Sequence, residues 1–151
     1  MEEREAVVSR IREFNRFYTV LLGLLNRDYL HSGYSVTETR ILFELGQREG
    51  SGANQLIETL RLDKSYISRL IRGFEQKGIL TREVSPEDGR AFVIRLTPRG
   101  QEEVNRLIDV TNHQISGLIQ ALDSETCENL CAAMDVITES FSAGNRKENT
   151  E

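Results

Sequence analysis

The fold is decided by the stretch ANQLIETLRLDKSYISRLIRGFEQKG, residues 53–78. Residues 53–60 have the apolar spacing of a short helix, and Arg61 and Leu62 after them leave room only for a tight turn. Asp63 then suits a helix N-cap, and Gly78 is a stop signal for a longer helix that runs to Lys77. This order predicts a helix-turn-helix over residues 53–77.

The longer helix has two chemically different faces when its residues are placed 100° apart. One face is apolar, and the opposite face holds arginine, serine and glutamine without an acidic residue. Arginine can bind guanine or phosphate, and serine can contact a base edge or a phosphate. The alternative is an ordinary solvated face, which usually mixes charges of both signs. The predicted DNA-binding residues of this helix are Lys64, Ser65, Tyr66, Ser68, Arg69 and Arg72.

A β-hairpin is predicted after this helix, over residues 80–96. Residues 80–84 and 91–96 alternate in the way of strands, and the turn sequence PEDG lies between them at 86–89. Arg90 follows the turn directly, so it is expected near the tip, where it could enter a minor groove with Asp88 bracing its guanidinium. The alternative is a surface hairpin whose Asp88 and Arg90 only solvate the turn.

The charge of the chain is unevenly distributed. The whole sequence has a net charge of −5, which argues against a nucleic-acid partner. Between Arg61 and Arg99, however, nine basic and five acidic residues give +4, and the remainder carries −9. A basic segment in an acidic body is typical of a DNA-binding protein that needs only local attraction, although a random fluctuation would look the same.

Apolar stripes at both ends of the sequence predict long helices. They occupy residues 5–30 and 98–141, on either side of a winged helix-turn-helix expected at 35–97, and a polar tail follows at 142–151. Ser35 and Glu38 have capping-box spacing at the start of a further helix. Because one small central domain would leave these stripes uncovered, we expect the terminal helices to form a homodimer. An intramolecular bundle is the alternative.

Several of these segments together resemble the MarR family of bacterial and archaeal regulators. The resemblance runs over residues 5–141 and lies in LDKSYISRL (62–70), FEQKGIL (74–80), SPEDGR (85–90) and LTPRG (96–100). It implies a mainly α-helical fold with a small β-wing (α+β), a homodimer formed by the terminal helices, and a pseudo-palindromic DNA operator. It also implies a repressor released by a small aromatic or anionic effector. Arg90 maps onto the family's minor-groove arginine and Asp88 onto its acidic partner, whereas Gly89 replaces a usual basic residue.

The Asp88-Gly89-Arg90 variant also resembles regulator modules fused to an acetyltransferase. The alternative function is therefore a winged-helix interaction or regulatory module without its own operator. No nucleophile with a base beside it, phosphate loop or metal-ligand spacing is evident, so neither an enzyme nor a cofactor is expected. His31 and His113 are isolated, and Cys127 and Cys131 are more typical of packing than of redox chemistry.

The remaining expectations concern location and ligand. The sequence lacks a signal peptide and a membrane span, which predicts a cytoplasmic protein. An effector pocket would lie between the first helix and the DNA-binding lobe. Aromatic side chains at helical spacing are more often packing residues than ligand contacts. The candidates are Phe14, Tyr18, Tyr29, His31 and Arg40.

Overall fold

The computed structural model of the chain describes residues 1–48, 50–87, 89 and 92–148. Its mainly helical fold with a small wing confirms the predicted fold class. Backbone contacts divide the chain into two compact units, residues 1–111 and 112–151. That residues 5–141 form a single domain therefore remains a prediction.

The helices and strands follow one another along the chain in this order. The elements are α1 (Glu2–Leu21), α2 (Val36–Gln47), β1 (Ser51–Gly52), α3 (Ala53–Leu60), α4 (Lys64–Gln76), β2 (Leu80–Val84), β3 (Phe92–Leu96), α5 (Pro98–Ile119) and α6 (Ser124–Glu148).

The first helix ends earlier than its apolar periodicity predicts. The predicted helix over residues 5–30 is wrong at its C-terminal end, because α1 stops at Leu21 and the chain continues in turns. Gly23 has a φ of +70°, a conformation that glycine adopts without strain and that a right-handed helix excludes. A single 3₁₀ turn follows at Tyr29–His31. The apolar residues after Leu21 therefore belong to a connecting segment.

The helix-turn-helix forms from the local signals of its sequence. Arg61 ends α3 in the left-handed conformation, with a φ of +52°, which turns the chain sharply. The Asp63 carboxylate accepts hydrogen bonds from the backbone N–H groups of Ser65 and Tyr66, at 3.1 and 3.3 Å. Asp63 is thus the N-cap of α4, as its side chain predicts. The predicted capping box of α2 is also present, with reciprocal hydrogen bonds between Ser35 and Glu38.

The wing belongs to a three-stranded antiparallel sheet of order β1-β3-β2. The two long strands pair from Leu80–Leu96 to Val84–Phe92, within the hairpin expected at 80–96. The sequence analysis missed β1, which adds only two residues to the outer edge of β3.

The Thr97 side chain connects the sheet to α5. Its hydroxyl donates a hydrogen bond to the carbonyl of Gly78 at 2.6 Å and accepts one from the N–H of Gly100 at 3.0 Å. The second bond makes Thr97 the N-cap of α5, a role that its position before Pro98 predicts.

The core of residues 1–111 lies between α2, α3, α4, the sheet and the first half of α5. Ile67, Ile71 and Phe74 supply the buried face of α4. Helices α2 and α5 approach closely, since a Cβ on Gly46 would lie 2.8 Å from Cγ1 of Val104. The other buried apolar residues are Tyr34, Ile41, Leu42, Leu45, Leu56, Ile79, Leu80, Ile94 and Leu107.

Residues 112–148 consist of the end of α5 and the whole of α6. The segment predicted as 98–141 is divided between these two helices, and Asp123 caps α6 by accepting from the N–H of Thr126 at 2.8 Å. The polar tail expected from residue 142 is helical as far as Glu148, because no proline interrupts it. Residues 149–151 lie outside the described residues.

Candidate nucleic-acid interface

Helix α4 exposes the face that the sequence analysis assigned to DNA. Lys64, Ser65, Arg69 and Arg72 are exposed, whereas Tyr66 and Ser68 are half-buried. On the other side of the helix, Ile67, Ile71 and Phe74 are buried in the core. One side of α4 therefore packs against the protein and the other is accessible to a ligand. The structure therefore places these six polar residues along one helix without assigning them a ligand.

The N-terminal half of α4 carries several sources of positive charge. The guanidinium carbon of Arg69 lies 5.7 Å from the centroid of the Tyr66 ring, a cation–π distance that restricts the arginine. The N-terminal end of a helix also carries a partial positive charge. Lys64 adds a full charge in the same turn. The arrangement is suited to an anionic partner such as a phosphate backbone.

A groove of about 630 Å³ separates α4 from the wing. Lys64, Ser68 and Arg72 line it from α4, and Arg82 and Phe92 line it from the two strands. The start of α3 closes the groove with polar side chains, including Asn54 and Gln55. Cations from two different elements thus face a single channel, which the linear sequence does not reveal.

One of these cations is neutralised within the chain. The Nε of Arg82 donates to Oε2 of Glu75 in a short, exposed ion pair. The Arg82 guanidinium also lies 5.4 Å from the Phe92 ring. In the sequence alone, Arg82 and Glu75 contribute only to the charge balance of the segment from Arg61 to Arg99. The helical wheel could have indicated that Glu75 lies beside the DNA-binding face, because Glu75 falls on the same side as Lys64 and Ser68, about 40° or less from each.

The wing tip is only partly described. The N–H of Glu87 donates to the Ser85 hydroxyl at 3.3 Å, and the strands pair up to Val84 and Phe92. Asp88 and Arg90 lie outside the described residues, so their roles rest on the sequence alone.

The candidate effector residues have ordinary packing contacts. Phe14 and Tyr18 stack with ring centroids 5.2 Å apart on α1. Burial raises the pKa of the Tyr29 hydroxyl, and the positive charge of Arg40 partly offsets that rise. Cys127 is half-buried and Cys131 is exposed. Within the described part of the chain, no three His, Cys, Asp or Glu side chains are grouped for a metal ion, and no helix could cross a membrane.

Comparison with known proteins gives one consistent result. Residues 32–91, from the loop before α2 through the wing, match a MarR family model. Over this segment the chain is similar to the MarR family. The fold of this chain, with its winged helix-turn-helix, is that of solved MarR structures.

Two bacterial transcriptional regulators are similar over two thirds or more of the chain. The organic hydroperoxide resistance transcriptional regulator of Bacillus subtilis is 29% identical over 79% of this chain and 73% of its own length. The transcriptional repressor IacR of Pseudomonas putida is 22% identical over 68% of this chain and 61% of its own.

Solved structures give the same fold at lower identity. A MarR regulator from Methanosarcina mazei superposes with a TM-score of 0.72, at 17% identity, over 92% of this chain and 98% of its own. The S. aureus MepR–DNA complex superposes with a TM-score of 0.70, at 20% identity, over 85% and 96% of the two chains.

Proposed function

We propose that this chain is a MarR-type, ligand-responsive repressor that binds a pseudo-palindromic operator as a homodimer. The exposed polar face of α4 carries the proposal. Each protomer would insert Ser65, Ser68, Arg69 and Arg72 into a major groove, where arginine can donate two hydrogen bonds to guanine. Two-fold symmetry would then place the half-sites about one helical turn apart.

Lys64 and Tyr66 would fix the register of α4 on the DNA. Lys64 is exposed beside the helix N-terminus, where it can bind a phosphate without reading sequence. Tyr66 is half-buried, and its ring already contacts Arg69, so it would hold that arginine while its hydroxyl reaches the backbone. Acidic residues that lie more than about 10 Å from the bound DNA would oppose this binding little, since charges at that separation are largely screened at 0.1 M salt.

The wing would supply the second contact of each protomer. By sequence, Arg90 falls between the paired strands β2 and β3, so it is the basic residue nearest the hairpin connection. A narrow minor groove attracts arginine electrostatically, and Asp88 would orient the guanidinium. Because the neighbouring residue is Gly89, each wing would contact the minor groove with Arg90 alone.

The terminal helices support the dimer. Helix α1 has twenty residues and none of them is buried. Within α6, the described side chains from 124 to 144 are exposed apart from the half-buried Cys127. Helices gain most of their stability in water by packing an apolar face, so both need a covering partner. A second copy would cover Val7, Ile11, Phe14, Ile115, Leu118, Leu122, Leu130, Met134, Ile137 and Phe141, which are 39–59% exposed.

The effector would be a small aromatic or anionic molecule that binds near α1 and the segment before α2. Tyr29 offers an aromatic ring, and Arg40 offers a positive charge that acts on the Tyr29 hydroxyl, a combination that suits an aromatic carboxylate. The effector can be tested separately from DNA binding. Labelled operator is bound to the protein, and its release by a panel of aromatic carboxylates is measured, with Arg40→Ala as the control variant. An operator complex that is insensitive to every member would remove the effector from the proposal.

Equilibrium binding to DNA from upstream of the protein's own gene tests the interface. Arg69→Ala and Arg72→Ala should each weaken binding by roughly 1–3 kcal/mol if they contact a base. Arg90→Ala should weaken it and flatten its dependence on salt. Arg4→Ala, which removes the same charge from α1, is the matched control and should leave the affinity unchanged.

Three outcomes would each contradict part of the proposal. Affinities of all three interface variants equal to that of the parent protein would remove α4 and the wing from the DNA contact. Absence of DNA binding by the parent would favour the alternative, an interaction or regulatory module, for which Gly89 in the wing is the one supporting feature. Sedimentation of a stable monomer at micromolar concentration would remove the homodimer.

A further inference from the structure

We infer that Glu75 restrains Arg82 from binding the DNA backbone and thereby limits sequence-independent affinity. The inference rests on the proposed function, because it concerns the same groove between α4 and the wing. Arg82 lines that groove together with Lys64 and Arg72. Of these three cations, Arg82 is the one whose guanidinium is bound to a carboxylate of α4.

The position of the pair shows why Glu75 matters for binding. Glu75 and Arg82 have side chains that are 40% and 35% exposed, so both can reach solvent or a ligand. A guanidinium that donates its Nε to a carboxylate has fewer donors for a phosphate, and the carboxylate itself repels a phosphate. The groove is therefore lined by an arginine that is already paired with a carboxylate, where the sequence alone suggests a third cation.

Stabilisation of the fold is a weak explanation for this pair. Exposed ion pairs contribute only about 0–1 kcal/mol to stability, because water screens them. The ring of Phe92 already lies 5.4 Å from the Arg82 guanidinium, and five paired positions join β2 to β3. The wing is thus held in place without Glu75, and the remaining consequence of the carboxylate is electrostatic.

A second ion pair on the same hairpin provides a matched comparison. Oε2 of Glu83 lies 3.6 Å from Nε of Arg95, and the Glu83 side chain is 61% exposed. Adjacent residues of a strand point to opposite faces, so Glu83 and Arg82 are on different sides of β2. Neither carboxylate lines the groove itself, but Glu75 binds Arg82, which does line it, whereas Glu83 binds Arg95, which does not. Glu75→Gln and Glu83→Gln therefore change the net charge equally but affect different surfaces.

The test is the binding of a duplex of random sequence, followed by fluorescence anisotropy over a salt series. Glu75→Gln should bind more tightly than the parent at low salt. One new phosphate contact should also steepen the slope of log K against log salt by about 0.9, which is roughly a threefold larger loss of affinity between 50 and 200 mM salt. Glu75→Ala should behave in the same way. Glu83→Gln should keep the parent slope.

The double variant Glu75→Gln/Arg82→Gln identifies the cation responsible and should return to the parent slope. A gain in slope that persists in the double variant would overturn the inference, as would an unchanged slope or a weaker affinity in Glu75→Gln alone. If the parent binds DNA and Glu75→Gln shows no gain, only this inference fails. If the parent binds no DNA at all, the proposed function fails together with it.

Discussion

The hydroxyl of Tyr34 donates a hydrogen bond to Oε2 of Glu103 at 3.1 Å, across 69 residues of sequence. The same carboxylate oxygen accepts from Arg106 at 2.8 Å, and Arg106 also donates to the carbonyl of Ser32 at 2.8 Å. On its other side, the Tyr34 ring lies 6.1 Å from that of Phe74, on the buried face of α4. The first half of α5 is thereby connected to the DNA-binding helix through Tyr34.

Tyr34→Phe should lower the free energy of unfolding by about 1 kcal/mol. The substitution keeps the buried ring and removes only the hydroxyl, so the expected loss is that of one hydrogen bond to a charged acceptor that is partly exposed. Urea denaturation measures it, and a free energy equal to that of the parent would show that the Glu103 contact does not stabilise the protein.

The stability contributed by Glu103 should disappear in acid. The hydrogen bond from Arg106 lowers the pKa of the Glu103 carboxyl below its ordinary value of 4.5, against a smaller opposing effect of burial. A lowered pKa in the folded state contributes stability that is present above the ordinary value and is lost as the pH falls through the folded-state pKa. Glu103→Gln should therefore be less stable than the parent at pH 7, and the difference should narrow towards pH 3.

The control for this pH series is Glu102→Gln, which removes the same charge from the neighbouring exposed position of α5. At pH 7 the free energy of unfolding of this control variant should differ little from that of the parent. A Glu103→Gln difference that widens in acid would contradict the assignment.

Gly100→Ala should destabilise the protein strongly. A Cβ at this position would lie 2.0 Å from the carbonyl oxygen of Ile79, a backbone atom that only a shift of β2 or α5 could move. We expect a loss of about 2–3 kcal/mol, the range of overpacked cores. Gly73→Ala, where no atom lies within 4 Å, is the matched control in α4 and should raise helix stability by about 0.5–1 kcal/mol. Equal thermal stabilities of the two variants would exclude the close contact.

Thr39→Val and Thr97→Val should change stability in opposite directions. The Thr39 hydroxyl is buried, and it has no hydrogen-bond partner among the described residues. Its replacement by a methyl group should add about 1 kcal/mol, because an unsatisfied buried hydroxyl is costly. The Thr97 hydroxyl bonds Gly78 and Gly100, so its loss should cost about 1 kcal/mol. Guanidinium denaturation that gives both variants the same sign would refute this interpretation.

The parts of the fold that were predicted correctly depend on signals between near neighbours in sequence. The Asp63 and Thr97 caps each specify a few adjacent backbone groups, and the alternating residues of 80–84 and 92–96 pair as strands, so the helix-turn-helix and the hairpin follow from local patterns. Apolar periodicity is a weaker guide, because Leu24 and Leu25 continue the pattern of α1 after Gly23 has ended the helix.

The contacts that were missed join residues distant in sequence or very short elements. Tyr34 and Glu103 meet only after α2, α4 and α5 have packed, and no spacing rule relates them. The Glu75–Arg82 pair forms where a helix and a strand adjoin, and β1 has only two residues. The candidate DNA-binding residues of α4 were found because one helix presents them, whereas the groove needs the wing as well.

The most direct test of operator recognition is a competition titration of the parent protein at 150 mM salt. Labelled DNA from upstream of its own gene is bound first, and unlabelled copies of that DNA or of a shuffled sequence are then added. Sequence-specific regulators prefer their sites by roughly 10³-fold or more, so we expect the shuffled competitor to be at least about a thousandfold less effective. Equal displacement by the two competitors would contradict the account, because α4 would then be reading no sequence in that DNA.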